Sequence, residues 1–236
     1  MKAAELGVKL SEAQLNAFRV YTDMLITWNS HMNLTAIIDR NQIVIKHFLD
    51  SLTLLRFLPA GKPCRFLDAG TGAGFPGAPL AIAAPLLSVT LMDSLNKRLV
   101  FLNELIKELG LKNAVTVHSR LEDAGRAKGH RETYEAVASR AVAHMNALAE
   151  YCLPLTAPGG YFYAMKGPAG REEAVGAEHI INALGGRIER FVDFTLYDSA
   201  ANEHISRTVI IIKKTGKTPF GYPRRANKVL GRRSCV

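Results

Sequence analysis

The stretch Asp68-Ala69-Gly70-Thr71-Gly72-Ala73-Gly74-Phe75-Pro76-Gly77 constrains the fold more than any other part of the chain. Directly after the short apolar run Arg65 to Ala69, four glycines fall within eight residues. Such a turn lets backbone approach a ligand where a Cβ would clash. It also aims the first amides of a following helix at that ligand. Turns of this kind join strand to helix in open α/β sheets, whose ligands bind outside the carboxyl ends of the strands. The downstream pattern agrees. A helix runs through about Ala84, and Ser88 to Asp93 reads as a second strand. Leu95, Leu99, Leu102, Ile106 and Leu109 mark an amphipathic helix closed by Gly110. Ala114 to His118, Ala136 to Ser139 and Tyr161 to Met165 are further strands. Val192 to Leu196 and Thr208 to Ile212 have no helix between them and read as an antiparallel terminal pair. The expected fold is α/β: a mostly parallel sheet covered on both faces, Rossmann-like, with that pair at one edge.

Three sections are expected. Residues 1–60 form an N-terminal helical extension, 61–214 the main domain and 215–236 a basic C-terminal tail. Ser11 and Gln14 make a capping-box pattern, followed by Leu15, Phe18, Thr22, Leu25 and Ile26 at helical spacing. A second helix is expected over Asp39 to Leu58, stopped by Pro59. The first residues hold no signal-peptide core, and the longest uncharged run, Phe75 to Met92, is broken by Pro76, Pro79 and Pro85. No membrane partner is expected. Three cysteines, Cys64, Cys152 and Cys235, cannot all pair within the chain and lack metal-ligand spacing. A reduced, cytoplasmic, metal-free protein follows, with a monomer as the expected state. From Lys213 to Val236 there are eight Lys or Arg and no acid, while residues 1–212 hold 22 basic and 21 acidic residues. A basic tail on a neutral body suits a polyanion, nucleic acid before membrane; the competing reading is a solvated terminus. Tail and binding pocket are expected to be separable by ending the chain at Thr215.

Two registers of the glycine loop compete. Gly72, Gly74 and Gly77 match the dinucleotide fingerprint, with Asp93 placed 21 residues beyond Gly72 for a ribose. Asp68, Gly70, Gly72 and Gly74 instead match the loop of Rossmann-like S-adenosylmethionine-dependent methyltransferases. The second register gives the strand-end acid Asp68 a purpose, facing an amino-acid ammonium directly or through water. A carboxylate beside a pyrophosphate would be harmful. In the second register Gly72 passes closest to the cofactor; in either register Asp93 ends the second strand, placed to hold ribose hydroxyls. After the third strand, Leu121 is placed to pack on an adenine and Glu122 to read its edge, with helix capping by Ser119 the plainer reading. Arg140 ends the fourth strand and points at the reacting centre; Lys166 ends the next. No Asn-Pro-Pro-Tyr-like motif follows the fourth strand, which argues against an exocyclic amine as acceptor. Cys64 and Cys152 sit at places unsuited to attack on a pyrimidine. Guanine N7, already an exposed lone pair, needs no such apparatus.

The chain resembles the RsmG (GidB) family of ribosomal RNA small-subunit methyltransferases over roughly residues 10–215. The resemblance rests on the loop Phe66 to Ile82, on Trp28-Asn29 with Asn33-Leu34-Thr35, and on His47-x-x-Asp50-Ser51-Leu52. Further matches are Met92-Asp93-Ser94-Leu95 with Lys97-Arg98, Ser119-Arg120-Leu121-Glu122, Ser139-Arg140-Ala141 and Lys166-Gly167. It implies methyl transfer from S-adenosyl-L-methionine to guanine N7 in the 530 loop of 16S rRNA, within the small ribosomal subunit. It also implies cofactor contacts from Gly70, Phe75, Leu121, Glu122 and Arg140, joining Gly72 and Asp93, with Arg140 as the catalytic candidate. Lys166, Arg224 and Arg225 are the substrate-binding candidates. Tyr222 to Lys228 begins as family tails do and then lacks their glycine and second proline. His47 and Asp50 share one helix face, where a structural hydrogen bond competes with a substrate contact. Trp28 reads as a core anchor. The rival functions are a nicotinamide-dependent oxidoreductase, NAD(P) filling the other register, and a non-catalytic RNA-binding module.

Overall fold

The computed structural model describes residues 6–59, 61–140, 142–198 and 201–224. Seven strands form one sheet: β1 (Cys64–Ala69), β2 (Leu87–Asp93), β3 (Ala114–His118), β4 (Tyr134–Arg140), β5 (Thr156–Lys166), β6 (Gly186–Asp198) and β7 (Glu203–Lys214). Their spatial order is β3-β2-β1-β4-β5-β7-β6. Pairing is parallel from β3 through β5, and β7 runs antiparallel to both β5 and β6. The central strands are buried on both faces, as a helix-covered parallel sheet requires; Phe66 and Leu67 point to opposite faces and neither is exposed.

One face carries α1 (Glu12–Met32), α4 (Gly77–Ala83) and α5 (Asn96–Glu108); the other carries α7 (Met145–Cys152), α8 (Gly170–Gly176) and α9 (Glu178–Ala183). α1 begins with the capping box, Ser11 and Gln14 bonding each other's backbone. Gln14 Nε2 also donates to the carbonyls of Ile82 (2.9 Å) and Ala83 (3.2 Å), fastening α1 to the end of α4. α5 buries Leu99, Phe101, Leu102 and Leu105, while Leu95 is exposed and stands before the helix. The other four residues of the expected stripe, Leu99, Leu102, Ile106 and Leu109, pack on the core, and Phe101 and Leu105 widen that face where α1 also lies on this helix. Tyr21 and Trp28 set their rings 6.3 and 5.7 Å from that of Phe101. Gly110, at φ +60°, closes α5, its amide donating to Lys107 and that of Leu111 to Ile106.

The helix expected over Asp39 to Leu58 forms as four pieces. These are α2 (Arg40–Ile43), a π-helical segment (Val44–Leu49), α3 (Asp50–Leu52) and a 3₁₀ turn (Thr53–Arg56). The final short helix, α6 (Leu121–Ala124), follows β3.

The described residues beyond β7 are strapped to the body. Arg131 donates to the carbonyls of Thr218 (2.8 Å), Pro219 (3.2 Å) and Tyr222 (2.7 Å), and Arg126 to that of Pro223 (2.5 Å). Arg224 holds the fully buried Glu150 through Nε (2.9 Å) and Nη2 (2.5 Å). Lys214 is fully buried, bonded to Leu184 and Thr218, and burial pulls its pKa down to about 8. The first part of the basic segment therefore packs, and a cut at Thr215 would sever it from arginines and a glutamate that depend on it.

Candidate active site

The carboxyl ends of β1, β2, β3 and β4 surround a cavity of about 620 Å³. Gly70, Gly72, Phe75, Asp93, Leu121, Glu122 and Arg140 all line it. Its volume is ordinary for a cofactor-sized ligand.

Asp93, at the end of β2, shapes the glycine loop. Its Oδ2 accepts from the amide of Gly72 (2.9 Å) and from Arg98 Nη1 (3.1 Å), and its Oδ1 from the amide of Leu95 (2.9 Å). Gly72 sits at φ +61°, and a Cβ there would meet no protein atom within 4 Å. Gly70, at φ +74°, has no such room: its Cβ would stand 2.6 Å from Val142 Cγ2.

Asp68 departs from its expected role. It is fully buried behind the loop and absent from the cavity wall. Its Oδ2 accepts from the Thr71 hydroxyl (2.6 Å) and the Gly77 amide (2.7 Å), while Oδ1 accepts nothing. Burial lifts its pKa to about 6, against the lowering effect of those two bonds. The carboxylate thus folds the loop from behind. It also occupies the leading amide of α4, the one a pyrophosphate would need, so the dinucleotide register has no anion site here.

Arg140 is held from three sides. Nη1 donates to the Lys46 carbonyl (2.9 Å) and to Asp50 Oδ2 (3.1 Å), Nη2 lies 3.2 Å from His47 Nδ1, and the guanidinium lies 5.0 Å over the Phe75 ring. The π-helical segment presents the Lys46 carbonyl and His47, with Asp50 directly after it. His47 stacks on Phe75 at 4.3 Å. Burial, then the Arg140 charge, pushes its pKa down to about 3, so the ring is neutral at neutral pH. His47 Nδ1 lies 3.2 Å from both Arg140 Nη2 and the Lys46 carbonyl, and Nε2 lies 3.0 Å from the Thr35 hydroxyl. The Thr35 amide in turn donates to Asn29 Oδ1 (2.8 Å). The separate sequence motifs at residues 28–35 and 47–50 are therefore one chain of contacts ending on Arg140. Trp28 is half-buried on Phe101, a core position.

At the β3 corner, Leu121 and Glu122 open α6; Ser119 does not cap it, since its hydroxyl donates to the Arg120 carbonyl instead. Lys166 ends β5 away from this cavity, its ammonium bonded to the Ala143 carbonyl (2.6 Å) and Glu173 (2.8 Å). Arg224 is committed to Glu150. Arg225 lies outside the described residues. Cys64, after Pro63, opens β1 at the opposite end of the sheet, and burial pushes its thiol up to about 11. Among the described residues no cluster of three His, Cys, Asp or Glu is placed to hold a metal, and no helix is long and apolar enough to cross a membrane. Arg98 and Tyr151 also belong to the site. Arg98 stands in the sequence match Met92 to Leu95 with Lys97-Arg98, which gives it no role; nothing local marks Tyr151.

A family model described as GidB, rRNA small subunit methyltransferase G, matches residues 14–200. A Desulforamulus reducens protein named ribosomal RNA small subunit methyltransferase G is 48% identical over 224 residues, 95% of this chain and 92% of that protein. One of the same name from Lachnoclostridium phytofermentans is 48% identical over 225 residues, 95% and 91% of the two chains. Among solved structures, a variant of the 16S rRNA (adenine(1408)-N(1))-methyltransferase from Catenulisporales acidiphilia superposes with a TM-score of 0.54 at 15% identity, covering 66% of this chain and 88% of the other. A SAM-dependent methyltransferase from Aquifex aeolicus gives 0.51 at 18% identity, covering 73% and 93%. At these identities the structural likeness speaks for the fold.

Proposed function

The chain belongs to the rRNA small subunit methyltransferase G family, and on that basis we propose that it methylates N7 of a guanine in the 530 loop of 16S rRNA, within the small ribosomal subunit. The methyl donor is S-adenosyl-L-methionine, which supplies an electrophilic sulfonium methyl. The observation that carries the reading is the convergence of Gly72, Asp93, Leu121, Glu122 and Arg140 on one strand-end cavity.

The residues fit that donor. Gly72 leaves open space over the loop where a Cβ would project. Asp93 holds the Gly72 and Leu95 amides and Arg98, which leaves one lone pair, on Oδ1, for a ribose hydroxyl. Leu121 offers an apolar wall for the adenine, with Glu122 beside it for the edge. Residues of the N-terminal section, Leu34, Thr35 and His47, complete the wall.

Neutral guanine carries no proton on N7, so no general base is needed. What the site must supply is alignment and a fixed electrostatic environment. Arg140 serves both. Its guanidinium is immobilised by the Lys46 carbonyl, Asp50 and His47, and its remaining donors suit guanine O6, the acceptor next to N7. A neutral His47 can accept from Arg140, whereas a protonated ring would repel it. Arg224 serves the fold through Glu150, whereas Lys166, tied to Glu173, also lines a second cavity beside Arg140, so Lys166 and Arg225 are the substrate contacts we retain from those three. A ribosomal substrate sets the workplace in the cytoplasm.

The test is transfer of labelled methyl from S-adenosylmethionine to small subunits lacking the modification, followed by mapping of the labelled nucleotide. Label on a 530-loop guanine at N7 is the expected result. Label on another base, or none on rRNA, overturns the proposal.

A further inference from the structure

A second cavity, of about 320 Å³, adjoins the first and shares His47 and Arg140 with it. Ile37 and Met165 give it apolar walls, while Asp50 and Arg207 line it beside Arg140. Asp50 is 1% exposed, and its Oδ1 accepts no hydrogen bond. Arg207 Nε covers that oxygen from 3.5 Å, a charge contact too long for a hydrogen bond. The Arg207 side chain is 26% exposed, and its Nη1 bonds only the neighbouring Ser206 carbonyl at 3.1 Å. A buried carboxylate oxygen left without a donor is costly, so its retention here calls for a ligand.

We propose that this second cavity takes the target guanine and that Asp50 selects it, by accepting hydrogen bonds from N1–H and the 2-amino group. The inference rests on the methyl-transfer reading above and adds to it the residue that reads the base. Its geometry follows from the order of groups around guanine. N7 neighbours O6, O6 neighbours N1–H, and N1–H neighbours the 2-amino group. Across the two cavities the order is methyl-donor cavity, Arg140, Asp50, with Arg140 Nη1 only 3.1 Å from Asp50 Oδ2. A guanine with O6 on Arg140 thus turns N7 to the first cavity and its donor edge to Asp50. Adenine offers an acceptor at N1 and cytosine an acceptor at N3, which a carboxylate rejects. Enzymes that act on a base take it out of the stack and read its Watson–Crick edge in a pocket. Arg207 gives way to the base by moving from Asp50 to a phosphate of the same nucleotide, a charge-assisted bond better than its long contact with Asp50.

The test compares small subunits reconstituted with guanosine or inosine at the methylated nucleotide. Inosine keeps N7, O6 and N1–H and lacks only the 2-amino group. The parent enzyme is expected to lose about tenfold or more in kcat/KM on inosine, the order of one missing charge-assisted hydrogen bond. Asp50→Asn is expected to be slow on guanosine and to separate the two substrates by less than about twofold. Should that variant turn over neither, equilibrium binding of both subunits is measured with the same criterion, and S-adenosylhomocysteine binding reports that it is folded. A parent that uses both substrates equally overturns the proposal without any variant. An Asp50→Asn protein that discriminates as the parent does reduces Asp50 to a positioning residue for Arg140. A parent that fails to methylate the guanosine subunits signals failure of the methyl-transfer reading instead.

Discussion

Gly72 and Asp68 sit four residues apart in one loop and face opposite ways, and their substitutions should differ accordingly. At Gly72 the backbone is in the left-handed region, and a side chain would enter the cavity rather than the core. Gly72→Val adds strain of about 1–2 kcal/mol and fills ligand space. S-adenosylhomocysteine affinity should fall at least tenfold while the far-ultraviolet circular dichroism stays that of the parent; affinity within a few-fold would remove Gly72 from the ligand's path. Asp68 acts on stability with a pH signature. An unfolded carboxyl ionises near pH 3.8, whereas burial holds this one to about 6. Between those values the native state keeps the extra proton, so stability contributed by this group falls as pH rises through the window and the cost persists above it. The cost is on the order of 2–3 kcal/mol. Asp68→Asn keeps an acceptor for Thr71 and Gly77 and cannot ionise. The variant's Tm, relative to the parent's, should therefore be several degrees more favourable at pH 8 than at pH 4.5. A difference independent of pH would mean that Asp68 is not held at a raised pKa.

At the scale of elements, the join between α1 and α4 tests how the N-terminal helix is held. Gln14 completes the cap of α1 and donates to two carbonyls at the end of α4. Gln14→Ala should cost about 1–2 kcal/mol, read as a lowered denaturation midpoint, with S-adenosylhomocysteine affinity within about twofold because none of these atoms lines the cavity. A larger loss of affinity than of stability would show that α1 sets the pocket directly. The same elements mark what the chain disclosed by itself. The cap at Ser11, the parallel strands and the antiparallel end pair were legible because each depends on local pattern: a side chain three residues from its partner, apolar runs, and a missing helix between two strands. The loop and the strand-end residues Asp93 and Arg140 were legible because glycines and strand ends locate ligands in such sheets. The burial of Phe101 on α5 was not, since the stripe from Leu99 to Leu109 knows nothing of the rings that Tyr21 and Trp28 bring from α1. Nor was the π-helical segment, whose extra residue per turn shows in no apolar period; its visible consequence is a carbonyl and an imidazole delivered to Arg140. Asp68 misled for a related reason: being at a strand end says where a side chain starts and not which side of the loop it takes.

For the whole molecule, the C-terminal charges divide between those the fold uses and those offered to a polyanion. Counted along the sequence, the positive excess starts at Lys213. In the fold, Lys214 is buried and Arg224 neutralises Glu150, so neither is free for a phosphate. The charges that follow Arg224 in the sequence are Arg225, Lys228, Arg232 and Arg233. Two alterations should therefore give opposite results. A chain ending at Thr215 removes Arg224 and leaves Glu150 buried without its partner, and breaking a buried pair in this way costs roughly 3–5 kcal/mol. It also takes away the carbonyls that Arg126 and Arg131 bond. Against a typical total stability of about 5–15 kcal/mol, that protein should melt many degrees lower, and a poor result on ribosomal subunits would then report unfolding. Replacing Arg225, Lys228, Arg232 and Arg233 by Gln in the full chain touches none of these bonds. Its Tm and S-adenosylhomocysteine affinity should match the parent's, while its affinity for small subunits falls. For every phosphate that goes unpaired, the dependence of log K on log salt should flatten by roughly 0.7–0.9. If the four-fold variant binds subunits with the parent's affinity and salt slope, those charges hold no RNA, and the phosphate-binding groups must be sought on the body around Lys46 and Arg207.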